Sequence, residues 1–352
     1  MKQMQLKIPL GKILIFQTAF LGDVILTLPL VQILHRKFPE AEIDFVTTPR
    51  AAEILRGHRD IHSVIVYDKR KTQRGIRGMR AISRLLKKTG YDVAIVPHRS
   101  LRSALVVYWS KIPERIAFST SAGKRLFTEK VQYKKELHEV ERNLEFLSAL
   151  GIQRADKELP SLYPSAEDIS AVDRYFLDEK ILARGGLVAI APGSVWNTKR
   201  WLPERFSELC LMLSGGGIEI VLIGGKEDRE LCAEIKNAAG TERVHSAAGK
   251  FSILQSAELI RRCDVLISND SAPLHLAVAM RTPVIAIFGA TSPAFGFAPY
   301  GERDIIVERN DLDCRPCSIH GGDKCPIGTF DCMVGISAKR VYEEVWKVVE
   351  KN

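Results

Sequence analysis

The sequence lacks the features that mark several large classes of protein. It has no run of about 20 apolar residues, so it predicts no transmembrane helix. The apolar run Ile13–Phe16 stops at Gln17, which is too short for a secretory signal and favours a cytoplasmic protein. Aromatic residues make up only 7% of the chain and do not alternate with basic residues, so we expect no binding to nucleic acid.

Two common nucleotide-binding motifs are also missing. Neither GxGxxG nor GxxxxGK[ST] occurs, so the chain has neither a dinucleotide fingerprint nor a P-loop. The sequence does contain two series of buried strands alternating with helices, beginning at Lys12 and at Leu187, which predicts an α/β protein with parallel sheets. Because 352 residues exceed one ordinary domain, we expect two Rossmann-like domains that face each other across a cleft.

The extended segment Leu159–Pro164 is the predicted connection between these domains. We place an N-terminal Rossmann-like domain at 1–164, a C-terminal Rossmann-like domain at 165–333, and a C-terminal helix at 334–352 that could pack back on the first domain. The helix predicted over Val24–Lys37 contains Pro29, which should kink it or confine its regular part to the following residues. The polar, basic segment Ser119–Lys135 is predicted to be a mobile loop.

Positive charge is in excess, with a formal net charge of +9, and suggests an anionic partner. The segment from Lys69 to Lys88 holds many basic residues and no acidic one. Arg74 and Arg77 belong to a series with three- and four-residue spacing, so one helical face would be cationic. An ordinary solvated helix is the alternative, but such helices usually mix signs; we interpret this face as a surface for anionic lipid or a phosphate-bearing acceptor.

Charged residues follow the predicted strands at the edge where α/β sheets bind ligands. Asp23 begins the helix after the first strand and is either a helix cap or a functional carboxylate. Arg99 and Arg102 follow the strand Val93–Val96, and arginine is suited to gripping phosphate or carboxylate. Ordinary surface arginines are the alternative, and the sequence alone does not decide between the two.

Two turns of the second half are candidate anion sites, and a third is a candidate ribose site. The loop after Leu187–Ile190 carries Ser194 and Lys199, and Glu227 follows the strand Ile218–Ile223, where an acid commonly binds ribose. The stretch Ser268–Ala277 follows another buried strand and begins a helix, where unpaired amides and the helix dipole favour a phosphate. The alternative is that its Asp or Ser residues merely cap the helix.

Seven cysteines occur, and four of them cluster near the end of the chain. They are spaced CxxC-x7-C-x6-C, which hints at structural zinc more than at disulfides in a cytoplasmic protein. The second pair lacks the CxxC spacing, so a reduced, flexible loop is the alternative. The four residues are Cys314, Cys317, Cys325 and Cys332.

Five segments in this order resemble the lipopolysaccharide heptosyltransferases, the family 9 glycosyltransferases, over nearly the whole chain. Two of them, PHRSLRSAL and the NTKRW part of the third, look more like the second heptosyltransferase of inner-core assembly than the first. The segments are TAFLGDVILTLP, PHRSLRSAL, APGSVWNTKRWLPE, LIGGKEDRE and SNDSAPLHLAVAMRTPVIAIFG.

The resemblance implies a GT-B fold, with a lipid A–core acceptor on the N-terminal domain and ADP-heptose on the C-terminal domain. It implies that Asp23 is the catalytic base. Arg99, Arg102, Arg74 and Arg77 are our predicted acceptor-binding residues. The matched motifs assign the donor as follows: Ser194 and Lys199 to its diphosphate, Glu227 to its ribose, Phe251 to its adenine, and Asp270, Ser271, Ala272 and His275 to its phosphates and sugar.

The chemistry of sugar transfer agrees with this assignment. One carboxylate can deprotonate the acceptor hydroxyl, while a lysine and helix amides stabilise the leaving diphosphate without a metal. We therefore expect an inverting enzyme with no required cofactor, monomeric and peripheral at the cytoplasmic face of the inner membrane. The alternatives are a related glycosyltransferase with another donor or a protein acceptor, or a non-catalytic module that binds phosphate or membrane.

Overall fold

The computed structural model describes residues 10–153 and 157–349. The chain divides into two compact units, residues 1–163 and 164–352. Each unit is built on one six-stranded sheet in which every neighbouring pair of strands is parallel. In the described residues, no helix is long and apolar enough to cross a bilayer.

The sheet of the first unit has the strand order β3-β2-β1-β4-β5-β6. Its strands are β1 Lys12–Phe16, β2 Glu42–Thr47, β3 Ser63–Val66, β4 Val93–Val96, β5 Glu114–Phe118 and β6 Glu129–Val131. Its helices are α1 Leu21–Ile25, α2 Leu28–Lys37, α3 Pro49–Ala52, α4 Gly75–Thr89, α5 Leu101–Trp109, α6 Glu139–Leu144 and α7 Phe146–Ala149, with 3₁₀ turns at Glu53–Leu55 and Lys124–Leu126.

The second unit has the sheet order β12-β11-β10-β7-β8-β9. Its strands are β7 Leu187–Ala191, β8 Glu219–Leu222, β9 Val244–Ser246, β10 Val265–Asn269, β11 Val284–Phe288 and β12 Ile305–Glu308. Its helices are α8 Ala166–Asp178, α9 Pro203–Gly215, α10 Arg229–Ala239, α11 Ile253–Arg261, α12 Ala272–Ala279, α13 Asp331–Val334 and α14 Ala338–Val349, with 3₁₀ turns at Asn197–Lys199, Lys226–Asp228 and Pro293–Phe295.

The central strands form because their sequences are apolar throughout. Strands β4, β7 and β11 are buried along their whole length, as expected for parallel strands covered by helices on both faces. Because all the strands of a parallel sheet run the same way, their carboxyl ends share one edge. The loops after β1 and β4 in the first unit, and after β7 and β10 in the second, therefore meet at that edge of their own sheet, where such folds bind ligands.

In the first unit, the structure confirms the predicted break in the helix after β1 but differs from the loop predicted over Ser119–Lys135. The predicted helix after β1 is interrupted and restarts at Leu28, with Pro29 in its first turn, where a missing N–H costs no hydrogen bond. The mobile loop predicted over Ser119–Lys135 was wrong in part, because it contains β6, which pairs with β5. The polar composition of β6 fits its position as an edge strand, because charged side chains there discourage pairing with another chain.

The last helix packs within the second unit. α14 contacts α9, β10 and β11. Its buried stripe joins the core around Trp201, whose indole Nε1 donates to the Ile336 carbonyl at 3.0 Å. The amphipathic pattern predicted the helix correctly, but a pattern of this kind does not identify the surface that it covers.

Candidate active site

Asp23 lies in the first turn of α1, directly after β1. The Phe20 backbone N–H donates to its Oδ2 at 3.0 Å, so this carboxylate does help to start the helix. The side chain is partly exposed, and its negative charge acts on the nearby carboxylate of Glu139. The cap and the functional interpretation are therefore compatible, because one carboxylate oxygen accepts the amide while the group remains reachable from solvent.

A second carboxylate, Glu139, lies near Asp23 and was missed by the sequence analysis. It is the first residue of α6, is only 7% exposed, and accepts from Arg142 Nη1 at 3.0 Å. The pKa of Glu139 is raised to about 7, mainly by burial and then by the negative charge of Asp23, against the lowering effect of Arg142 and Arg99. An acid in the first turn of a helix has an ordinary structural explanation, so the sequence offered no signal for it.

Two arginines contact the ring of Tyr133 near these two carboxylates. The Arg99 guanidinium lies 4.1 Å from the centre of the Tyr133 ring, and that of Arg142 lies 4.9 Å from the same ring. Arg142 is buried and also donates through Nε to the Lys134 carbonyl at 2.9 Å, so it is fixed in place. Arg99 follows β4 and is exposed, and its positive charge acts on Glu139.

Another polar cluster at this sheet edge involves Lys69, which is partly buried. Its Nζ donates to the Thr18 carbonyl, and the Thr18 hydroxyl lies 3.0 Å from His98 Nδ1. Burial lowers the pKa of His98 to about 4, with the positive charges of Lys69, Arg99 and Arg102 acting in the same direction. His98 is therefore neutral at physiological pH, and the cations around it leave the cluster attractive to an anion. Arg102, predicted here, lies beside Lys69 and donates to its carbonyl at 3.4 Å.

The cationic face predicted for α4 is present and exposed. Its apolar side is buried through Met79, Ile82 and Leu86. In the part of the chain that the structure describes, none of the basic side chains on the opposite face has a carboxylate partner within 4.0 Å. These exposed residues are Arg74, Arg77, Arg80, Arg84, Lys87 and Lys88.

The second unit pairs two of the predicted site residues directly. Lys199 ends the 3₁₀ turn after β7, and its Nζ lies 2.6 Å from Asp270 Oδ2 at the end of β10. The same Oδ2 accepts from the Thr291 hydroxyl at 2.7 Å. Both ends of the ion pair are largely buried, with 14% and 11% of their side chains exposed, so Asp270 holds the ammonium group in a defined place.

Ser271 and Ala272 form the start of α12. Ser271 occupies the N-cap position, but its side chain makes no capping hydrogen bond, so the simple cap interpretation does not account for it. Its hydroxyl instead lies 3.4 Å from that of Ser268. His275 lies one turn further along and is buried, with only 6% of its surface exposed. The first turn of α12 therefore presents backbone amides beside the Lys199–Asp270 pair.

The remaining predicted donor residues follow β7, β8 and β9. Ser194 follows β7 and its carbonyl accepts from Arg200 Nε at 2.8 Å. Glu227 is exposed in the 3₁₀ turn after β8, and its carboxylate lies so close to Gly225 that a Cβ there would meet it at 2.4 Å. Phe251 follows β9 and packs edge-on against Tyr175, with ring centroids 5.2 Å apart. Tyr175 was missed by the sequence analysis, because it belongs to α8, far away in the sequence.

The four clustered cysteines carry free thiols. Within the described ranges, no three His, Cys, Asp or Glu side chains already surround a common point as metal ligands would. Their backbone segment is nevertheless tied to the Lys199 turn, since Thr198 N–H donates to the Gly322 carbonyl at 2.9 Å and Gly322 N–H donates to Thr198 Oγ1 at 2.8 Å. The zinc prediction stays open at this point.

Comparison with known sequences identifies relatives over most of the chain. The family model of glycosyltransferase family 9 (heptosyltransferase) matches residues 79–322. Lipopolysaccharide heptosyltransferase 2 of Salmonella typhimurium is 25% identical, over 97% of this chain and 99% of its own length. Lipopolysaccharide heptosyltransferase 3 of Escherichia coli is 30% identical, over 81% of this chain and 84% of its own.

Solved structures agree with the observed architecture. A glycosyl transferase family 9 protein from Veillonella parvula has a TM-score of 0.89 at 21% identity, covering 99% of this chain and 100% of that one. E. coli ADP-heptose LPS heptosyltransferase II has a TM-score of 0.78 at 24% identity, covering 97% and 99%. These similarities and the two parallel six-stranded sheets confirm the predicted α/β class and the GT-B fold.

Proposed function

The chain belongs to glycosyltransferase family 9, the heptosyltransferases, and from that membership we propose that it transfers heptose from ADP-L-glycero-D-manno-heptose to the inner core of lipopolysaccharide. The relatives named above supply the substrate class, because their names are those of lipopolysaccharide heptosyltransferases. The observation in this chain that carries the proposal is the buried Lys199–Asp270 pair beside the first turn of α12. It combines a fixed ammonium group with helix amides, which is the arrangement that a leaving diphosphate requires.

The donor would bind at the carboxyl edge of the second sheet. Lys199 and the amides of Ser271 and Ala272 would hold the diphosphate, with Ser194 beside them. Glu227 would accept hydrogen bonds from the ribose, and the Phe251 ring, supported by Tyr175, would lie against the adenine. Asp270 is held by Lys199 and Thr291, which favours a role in positioning the lysine and the sugar over a role as nucleophile.

Asp23 would act as the general base. In a single displacement, the acceptor hydroxyl attacks the anomeric carbon, its proton passes to Asp23, and the bond from that carbon to the diphosphate breaks, so ADP leaves and the configuration inverts. The negative charge that develops on the diphosphate is stabilised by Lys199. No step requires a bound metal ion.

The acceptor would bind to the first unit, where the exposed basic residues of α4 have, among the described residues, no carboxylate within 4.0 Å. Lipid A–core carries phosphates and carboxylates, and Arg99, Arg102 and Lys69 lie at the edge of the sheet that would receive its reacting end. The exposed face of α4, with Arg74 and Arg77, would contact the rest of the acceptor and an anionic membrane surface, as expected for a peripheral protein at the cytoplasmic face of the inner membrane. Nothing in this reaction requires a second copy of the chain.

The decisive experiment is mass spectrometry of products formed from ADP-heptose. Two acceptors are offered, Kdo-lipid A with and without a first heptose, and addition of one heptose mass to either supports the proposal. Addition only to the acceptor that already carries a heptose would agree with the relatives named heptosyltransferase 2. The alternatives of another nucleotide-sugar or a protein acceptor predict no product here, and product from UDP-sugars in parallel reactions.

A further inference from the structure

The loop between β7 and α9 carries Lys199 but has little regular structure of its own. In the described residues 192–202, the 3₁₀ turn Asn197–Lys199 is the only regular element. Hydrogen bonds inside the loop are local, such as the one that the Lys199 N–H donates to the Trp196 carbonyl at 3.0 Å. Local contacts of this kind shape a loop but do not fix it on the sheet. The position of the Lys199 backbone therefore depends on what anchors the two ends of the loop.

One side chain, that of Asn269, anchors both ends. Asn269 is the last residue of β10 and is fully buried. Its Nδ2 donates to the Pro192 carbonyl at 2.8 Å, and its Oδ1 accepts from the Trp201 N–H at 3.0 Å. The partners fix this orientation of the amide, because a carbonyl can only accept and a backbone N–H can only donate. Two hydrogen bonds from one residue thus close the loop 193–200.

The topology of the second sheet explains why these groups meet. β10 pairs with β7, and Ser268 lies opposite Ala191 at the carboxyl end of the pair. The next residue of each strand, Asn269 and Pro192, therefore comes together at the edge of the sheet. At the other end of the loop, Trp201 is buried in the core of the second unit. Asn269 joins the loop at both ends to parts of the unit that are themselves fixed.

Two consecutive residues hold Lys199 in complementary ways. Asp270 accepts from the lysine ammonium at 2.6 Å, whereas Asn269 holds the backbone at Trp201, two residues further along. An amide side chain suits this place because it offers a donor and an acceptor together, and a carboxylate lacks the donor. Both partners are buried backbone groups, which are costly to leave without hydrogen bonds. The contacts of Asn269 should therefore persist when the lysine side chain moves toward a ligand.

We propose that Asn269 is a positioning residue for the transfer reaction, which fixes the loop 193–200 so that the Lys199 ammonium meets the donor's diphosphate in one place. This inference rests on the proposed function, in which Lys199 binds the donor. The alternative is that Asn269 only satisfies buried polar groups, as Thr282 does through its hydroxyl and the Ile260 carbonyl at 2.9 Å. Thr282 precedes β11, at the opposite edge of the same sheet, and is the matched control.

The first test is a double-mutant cycle between positions 269 and 199 in the full chain. Asn269→Leu fills the space and Asn269→Ala empties it, and every variant that shows a cooperative thermal transition is used. Alone, the substitution should lower kcat/KM for the donor about tenfold and weaken ADP binding, with the acceptor KM unchanged. Added to Lys199→Ala, it should change these values by less than about twofold, because the group that it positions is gone. The same tenfold loss in both backgrounds would overturn the proposal.

The second test needs no activity and compares rates of lysine acetylation by mass spectrometry. Lys199 should react slowly in the wild type, because only 14% of its side chain is exposed and it is paired with Asp270. Relative to the exposed Lys347, it should react several-fold faster in the folded Asn269 variants and no faster in Thr282→Val. Unchanged acetylation of Lys199 in the Asn269 variants would overturn the proposal, as would an equal increase in Thr282→Val.

Hydrogen exchange on the wild type provides a measurement that requires no variant to fold. The Trp201 amide should exchange as slowly as the amides of β10, and exchange as fast as that of the exposed Val195 would show that Asn269 does not hold the loop. A wild type that transfers no heptose would refute the proposed function. The acetylation and exchange results would still decide whether Asn269 fixes Lys199, so the two failures are distinguishable.

Discussion

The two units have sheets of the same strand order, but they differ in whether their cations are buried and paired or exposed. Counted within each unit, and read from β3 to β6 in the first and from β9 to β12 in the second, the strand order is the same: third, second, first, fourth, fifth, sixth. At the carboxyl edge of the second sheet, Lys199, the cation proposed to bind the donor, is largely buried and paired with Asp270. In the first unit the cations of α4 are exposed and, among the described residues, have no carboxylate within 4.0 Å.

This difference follows from the size and charge of what each unit is proposed to bind. A nucleotide-sugar is small, and a few preorganised groups can surround its diphosphate. A lipid-linked acceptor is large and many-charged, and an open cationic surface attracts it without enclosing it. The shared sheet provides equivalent edges, while the loops that follow each strand determine the chemistry. The comparison can be tested by removing individual groups from each unit and asking which kinetic parameter changes.

The largest effect should come from Asp23→Asn. Asparagine keeps an oxygen for the Phe20 N–H, so the fold should survive, while loss of the base should lower kcat by roughly 10²–10⁴. Donor binding should be nearly unchanged in calorimetry with ADP. The matched control is Asp92→Asn, a carboxylate that accepts from Gly11 and Lys12 at the opposite end of β1. A folded Asp23→Asn enzyme with near-normal turnover would reduce Asp23 to a helix cap and leave the base to be found elsewhere.

The next effect should come from Lys199→Ala in the second unit. Its charge meets the diphosphate in both the ground state and the transition state, so the donor KM should rise as well as kcat fall. Loss of a charged hydrogen bond of about 1.5–3 kcal/mol corresponds to roughly 10- to 100-fold in kcat/KM. Lys347→Ala, on the surface of α14, is the matched control. The assignment fails if the acceptor KM changes instead and ADP binds as tightly as before.

The sequence predicted both sheets and the individual donor residues, but not the contacts between them. Apolar strands followed by turn residues predicted both sheets, because strand burial and helix periodicity are local patterns. Lys199 and Asp270 were each predicted as donor residues from their own loops. Their ion pair was not predicted, since it joins loops far apart in the sequence and depends on β7 lying next to β10.

The missed residues share this dependence on tertiary structure. Glu139 opens a short helix like many other acids, and only folding buries it near Asp23. Tyr133 lies in a segment predicted to be a mobile loop, yet two arginines contact its ring. Local composition predicts what an element is, whereas its partners depend on the packing of the whole unit.

A smaller effect is expected from Glu139→Gln, and it appears in the pH profile. The pKa of Glu139 is raised to about 7, so the group is neutral below that pH and places a negative charge near Asp23 above it. That charge should strengthen Asp23 as a base, so kcat/KM should rise through about pH 7 in the wild type, by about tenfold for each pKa unit of coupling. The variant should show a flatter profile.

Thermal unfolding provides a second readout of the same group. Because the folded pKa of Glu139 lies above that of an unfolded glutamate, the native chain binds more protons between about pH 4.3 and 7. Its contribution to stability is therefore greatest below this window and is lost as the pH rises through it. Glu136→Gln, an exposed neighbour, is the control for both measurements. An identical kinetic profile in wild type and Glu139→Gln would show that the buried carboxyl only supports Arg142.

The smallest effect should come from the exposed face of α4. Replacing Arg74 and Arg77 together by Gln should raise the acceptor KM a few-fold and leave the donor KM unchanged, since each exposed charge contributes about 0.2–1 kcal/mol. The difference from wild type should shrink with added salt, because the Debye length is about 10 Å at 0.1 M. The matched control removes the same charge elsewhere in the first unit, through Lys37→Gln with Lys111→Gln. If that control raises the acceptor KM equally, net charge is sufficient and α4 is not a specific acceptor surface. If neither pair of substitutions changes it, the acceptor is held by the partly buried edge around Lys69 and Arg99 alone, and the two units bind their substrates in more similar ways than their surfaces suggest.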